Sequence, residues 1–214
     1  VRETVKLGKK LKANDFTLSA PEGVSSVKAK VIGVIENQAP TKSLEFDLPV
    51  EEGNVQITEG VSYLSLVERH RGTGTVTNGF VSGFGYTGSM AIASSVAHDS
   101  HHMIVVGTDR KLMAAAANRL GEVGGGVTLW KDDAERALVE LPIAGLMSDS
   151  QAAEVANKAQ AIISAMIDCG CSLNNAYMQH TLLALVVIPE LRISDLGLVD
   201  VNRFELTEVI SPES

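Results

Sequence analysis

Alternation of apolar and polar positions with period two runs through the first half of the chain. VKAKVIGVIE (27–36) and VSYLSLVERH (61–70) carry β-branched residues on this pattern and predict half-buried strands. Between them, residues 41–57 read as short strand pieces broken by Pro49 and by a turn around Gly53. Residues 72–88 are dense in glycine and predict a bend-rich loop. SMAIASSVA (89–97) and MIVVGT (103–108) follow, and as adjoining strands they would place the intervening polar residues at a chain reversal.

After Asp109 the period lengthens. KLMAAAANRLGEV (111–123) gathers its apolar residues on one helical face, and three glycines at 124–126 stop it. GVTLWKDDAERALVELP (126–142) reads as two strands around an Asp132-Asp133 turn. Ser148 or Asp149 can cap a helix that runs to about residue 167 or 169, with Gly170 as its terminator. The apolar run 182–191 suits either a strand or a helix as far as Pro189. No repeat or low-complexity linker interrupts this order. The elements add up to an α+β fold, a mixed and largely antiparallel β-sheet flanked by helices, behind a lead-in of residues 1–20.

Composition narrows the function classes. The 214 residues are 45% hydrophobic and 21% charged, which is ordinary for a globular protein. A net charge of −8 argues against nucleic-acid phosphates or an anionic membrane as partners. No apolar span of membrane length and no leader pattern stand out, and Cys169 and Cys171 are too close in sequence for an easy disulfide. A reduced, cytoplasmic setting is expected. The chain begins with valine, which suggests either a piece of a longer protein or removal of an initiator methionine.

Two candidate sites share one stretch. GFGYTG (83–88) fits a dinucleotide-binding glycine pattern with an acid, Asp109, about 20 residues on. That pattern needs a buried strand before it and a helix after it. VTNGFVS (76–82) is a poor buried strand and SMAIASSVA a middling helix, so the glycines are expected to shape a loop. HDSHH (98–102) holds three of the five histidines with one carboxylate, a density suited to proton transfer, a polar ligand or a metal. It lacks the spacing of any familiar metal motif, and a polar turn capping backbone groups is nearly as good a reading. Glu68, Arg69 and His70 end a predicted strand beside a glycine loop and form a second polar group.

Longer blocks then carry a family likeness. VERHRGTG (67–74), GFVSGFGYTGSMAIASSVAHDSHHMIVVGTD (79–109), NRLGEVGGG (118–126), LPIAGLMSD (141–149) and IPELRISDLGLVDV (188–201) resemble, in sequence order, the C-terminal domain of adenine deaminases of the amidohydrolase superfamily. LGKKLKANDFTLSAP (7–21) is similar to the exit from the small β domain of that family, so residues 1–20 read as lead-in and 21–214 as the domain itself.

The resemblance implies a parent enzyme that hydrolyses adenine to hypoxanthine and ammonia. An N-terminal catalytic barrel of the same chain would hold a divalent metal pair (manganese, iron or zinc) that activates water. This sequence has no H-x-H pair and no room for such a barrel, so by itself it is expected to be inactive and to hold no metal. Within such a parent, the density of polar side chains at the HDSHH turn leads to the expectation that it closes the purine pocket through His98, Asp99, Ser100 or His101. Glu68, Arg69 and His70 are further candidates, and at His102 the family often carries asparagine. A homo-oligomer is also implied. The alternative is a structural or oligomerisation domain of the same enzyme.

Overall fold

The alternating stretches build one large sheet, described for residues 1–211 by a computed structural model. Its strands are β1 (Ser26–Val34), β2 (Thr41–Glu51), β3 (Asn54–Val55), β4 (Val61–Val67), β5 (Val76–Ser82), β6 (Met90–Ser94), β7 (Met103–Gly107), β8 (Gly126–Lys131) and β9 (Ala134–Glu140). They lie in the order β3-β2-β1-β5-β4-β7-β6-β8-β9. Only β1 and β5 pair in parallel; the other neighbours are antiparallel, so the sheet is mixed and largely antiparallel as predicted. Three helices, α1 (Arg110–Val123), α2 (Ala152–Asp168) and α3 (Ala176–Leu182), complete an α+β fold. A small antiparallel sheet closes the chain, with β10 (Leu191–Ser194), β11 (Gly197–Asp200) and β12 (Glu205–Thr207). No described helix is long and apolar enough to cross a membrane.

Alternation along the strands decides what covers each face. On β8, Thr128 bonds Glu135, which pairs with Arg119 of α1. The neighbouring Val127 meets Ile162 and Ile163 of α2 around a shared hollow. The two long helices therefore cover opposite faces. Helix α1 buries Leu112, Met113 and Leu120 together with Ala116 and Ala117, whose small side chains let its backbone come close to the central strands. Asp109 is its N-cap, accepting from the Lys111 and Leu112 amides at 2.7 and 3.3 Å, and Gly124 ends it with φ 81°.

Three expectations need correction. VTNGFVS is strand β5, in the middle of the sheet. Its polar Asn78 is tolerated because the side chain donates to the Asp15 and Thr17 carbonyls, both at 3.0 Å, and accepts from Ser65 Oγ at 2.6 Å. Pro49 does not break β2: it faces Ser26, the first residue of β1, and the next amide, Val50, already reaches beyond to Ser25. Neither Ser148 nor Asp149 caps α2. The helix starts at Ala152 after Gln151, while Ser148 Oγ accepts from Ser150 and Asp149 pairs with Arg2. The glycine pattern at 83–88 forms a loop, and a strand, not a helix, follows it.

Candidate functional site

Strand pairing gathers the titratable residues. Val67 at the end of β4 faces Met103 at the start of β7, so Glu68, Arg69 and His70 run alongside His102, His101 and Ser100. His70 Nε2 donates to the Ser100 carbonyl at 2.8 Å. The turn from β6 to β7 thus carries HDSHH at the same edge of the sheet as ERH, and every residue singled out in the two motifs lies there.

Two buried charges hold this edge. Arg69 is 1% exposed and bonds only carbonyls: Nε reaches His101 at 2.5 Å, and Nη2 reaches Ala144 at 3.1 Å and Ser95 at 3.5 Å. Its Nη1 has no partner, and Gly145 lies so close that a Cβ there would sit 2.8 Å from it. Burial lowers the guanidinium pKa from its ordinary value. Arg69 therefore cannot touch a ligand; it fixes the backbone of the turn. Its own carbonyl accepts from Lys6, and Ala144 donates to Val1, so residues 1–8 thread past the same spot.

Glu68, also buried, faces the opposite side of the sheet. One oxygen accepts the His70 and Arg71 amides at 2.5 and 2.7 Å; the other accepts the Thr73 amide and hydroxyl, both at 3.0 Å. Burial alone would raise its pKa, but donation from Thr73, Arg71 and His70 outweighs it and brings the carboxyl to about 2. All of its acceptor capacity is used in folding the 68–75 loop.

The turn itself divides into a tip and a base. Asp99 and Ser100 are exposed at the tip. The His98 and His101 rings meet edge to face, 5.2 Å apart. His101 Nδ1 accepts from the Ala97 amide at 3.2 Å, which leaves Nε2 as the free N–H donor. Burial, then the neighbouring His98 and the Arg69 guanidinium, keep His101 below the ordinary histidine pKa. At the base, His102 is buried against His70, with ring centroids 4.7 Å apart. Burial also lowers the His102 pKa, against the pull of Asp195.

Asp195 was not singled out from the sequence, although the Ser-Asp-Leu-Gly turn between two short apolar runs is a hairpin signal. It sits on the β10–β11 hairpin, 3.6 Å from His102 Nε2. Thr77 Oγ1 pins its backbone carbonyl at 2.9 Å. Glu68, His70, Thr73, Thr75, His102 and Asp195 line a cleft of about 490 Å³, the size range of small-molecule sites. Among the described residues no three His, Cys, Asp or Glu side chains come together to hold a metal ion.

Comparison with known proteins fits this picture. A family profile described as the adenine deaminase C-terminal domain matches residues 38–205. An adenine deaminase of Roseobacter denitrificans is 71% identical over 209 residues, covering 98% of this chain and 35% of that protein. One of Ruegeria pomeroyi is 68% identical over 214 residues, 99% of this chain and 36% of the relative. A more distant adenine deaminase, from Moorella thermoacetica, keeps 41% identity over 215 residues with the same coverage, 99% and 36%. The chain thus spans about a third of the length of the curated relatives it matches. On the profile match and these identities together, the chain belongs to the adenine deaminase C-terminal domain family.

Proposed function

We propose that this chain is the C-terminal part of an adenine deaminase and that its HDSHH turn closes the purine pocket of the catalytic part. The observation that carries the reading is the single polar edge of the sheet. Arg69 and Glu68 spend their charges on backbone, and the side chains of the turn stay available. The reaction is hydrolysis of adenine to hypoxanthine and ammonia, in a cytoplasmic enzyme. The metal pair (manganese, iron or zinc) belongs to the upstream barrel and supplies an activated water there. On this side, His101 Nε2–H can donate to a purine nitrogen, Asp99 can accept from an amino group, and the closed turn excludes bulk water. The family description as a C-terminal domain, and residues 1–8 running past Arg69, support a barrel that approaches this edge.

The test is alanine substitution of His98 and of Asp99 in the full-length enzyme. The expected result is a loss of about tenfold or more in kcat/KM with unchanged metal content, the scale of a lost positioning or acid–base contact. Wild-type kinetics in both variants would refute it. A second reading, an oligomerisation surface, draws on Ile163, Ile167 and Met178. These are 44%, 61% and 51% exposed, line one hollow beside α2, and suit a homo-oligomer contact.

A further inference from the structure

The cleft beside the turn contains two polar groups that the fold leaves unused. His102 is 8% exposed, its Nδ1 is buried with no hydrogen-bond partner, and its Nε2 faces Asp195. At 3.6 Å that separation is too long for a hydrogen bond. The Asp195 side chain is 39% exposed, and among the described residues no group donates to its carboxylate. Most other polar groups of the cleft are committed, apart from the exposed Arg71 guanidinium, which also lines it and has no partner among the described residues. Glu68 carries four donors, His70 Nε2 is bonded to Ser100, and the Thr73 hydroxyl is bonded to Glu68 and Thr75.

Apart from Arg71, what remains is an acceptor beside a donor. Burial keeps His102 neutral near pH 7, with one N–H. With that N–H on Nε2, the pair presents a carboxylate oxygen next to an imidazole N–H. The complementary edge is an amino group next to an unprotonated ring nitrogen, which is the edge of a cyclic amidine. A lactam edge, a carbonyl next to a protonated ring nitrogen, matches it less well, because a 6-oxopurine replaces the amino donor by an acceptor that Asp195 repels.

We propose that Asp195 and His102 form an amidine-reading subsite that discriminates 6-aminopurines from 6-oxopurines, Asp195 accepting from the exocyclic amine and His102 Nε2 donating to the adjoining ring nitrogen. This rests on the reading that the polar edge faces the purine pocket, and it assigns recognition to the hairpin and the base of the turn. Asp195 is a specificity residue here and takes no part in bond making.

The test uses the full-length enzyme carrying D195N, D195S or H102Q. Asp195→Asn puts an amide where the carboxylate stood, and only its backbone carbonyl is bonded within the fold, so the variant retains its packing. Expected is a rise of about tenfold in KM for adenine with kcat within about twofold, as loss of one charge-assisted hydrogen bond implies. Inhibition by hypoxanthine should hold steady or tighten, and Asp195→Ser should behave as Asp195→Asn does. A wild-type KM in D195N and D195S overturns the subsite. So does an equal weakening of adenine and hypoxanthine, which a merely structural role would give. His98→Ala and Asp99→Ala, assayed alongside, separate the two levels. If they are impaired while D195N is not, the turn closes the pocket but the subsite is wrong; if all are wild type, both readings fall.

Discussion

Replacing Glu68 by glutamine tests whether one carboxylate folds the 68–75 loop. Among the described residues the amides of His70, Arg71 and Thr73 have no other acceptor. A glutamine carbonyl can serve the His70 and Arg71 pair, while its NH₂ turns toward Thr73. The Thr73 hydroxyl can rotate to accept from that group, but the Thr73 amide then faces a donor. One stranded amide and the loss of charge from the remaining bonds amount to about 2–3 kcal/mol. Linkage gives a similar bound. A carboxyl that titrates at about 2 when folded and at its ordinary 4.5 when unfolded contributes at most about 3 kcal/mol at pH 7, before screening by solvent at the loop. The folded state binds fewer protons between those two values, so the stabilisation is complete above pH 4.5 and is lost as pH falls through 2. Hydrogen exchange of the 68–75 segment in the full-length protein reads this out directly. At pH 7 the Glu68→Gln variant should exchange roughly 30- to 100-fold faster there, and the gap to wild type should close toward pH 2. Wild-type protection of this segment at pH 7, or a gap that persists at pH 2, would refute the argument.

Arg69→Met keeps the volume but leaves the His101 and Ala144 carbonyls without their donor. Urea titration should show a loss of about 2 kcal/mol, smaller than two unpaired carbonyls alone would cost because burying the guanidinium is itself unfavourable. His180 is fully buried on α3 near Phe84, its ring nitrogens have no hydrogen bond of good geometry, and burial lowers its pKa to about 3 against a weak pull from the Ile92 backbone. Its folded pKa lies below the unfolded value of 6.5, so the protein loses stability as pH falls from 6.5 toward 3. His180→Leu should abolish that part of the acid sensitivity and hold or raise the melting temperature at pH 5. A steeper acid loss in the leucine variant would contradict this.

The strands, the turn at Asp132-Asp133 and helix α1 were legible because each is a local matter of period and breaker residues. Strand β5 was not, since the reason Asn78 fits a central strand lies in the carbonyls of Asp15 and Thr17, some 60 positions earlier. The start of α2 was misplaced for a related reason. Asp149 looks like a cap until Arg2, from the far end of the chain, takes its carboxylate. The candidate site divides in the same way. HDSHH and ERH are visible as clusters, but their meeting depends on the β4–β7 register. Asp195 is an isolated acid in a turn, and only the hairpin's position over β5 brings it to His102. Asp109, whose spacing from the glycines fits a nucleotide site, is instead the cap of α1.

The neighbours Glu68 and Arg69 carry opposite charges, yet they do not pair. Strand alternation sends them to opposite faces, so each must find its partners in backbone. Glu68 gathers amides from the loop that follows it, and Arg69 gathers carbonyls from the turn between β6 and β7 and from the loop before α2. A direct ion pair at this position would have satisfied both charges and left both loops to be held by something else. Splitting the pair ties three irregular segments to the end of one strand, and it does so with buried groups turned toward backbone. The histidines, Asp99 and Asp195 then project from a frame whose own charges are already committed. That separation makes the tests interpretable: substitutions at Glu68 or Arg69 should disturb stability and exchange, whereas those at Asp195 should act on recognition.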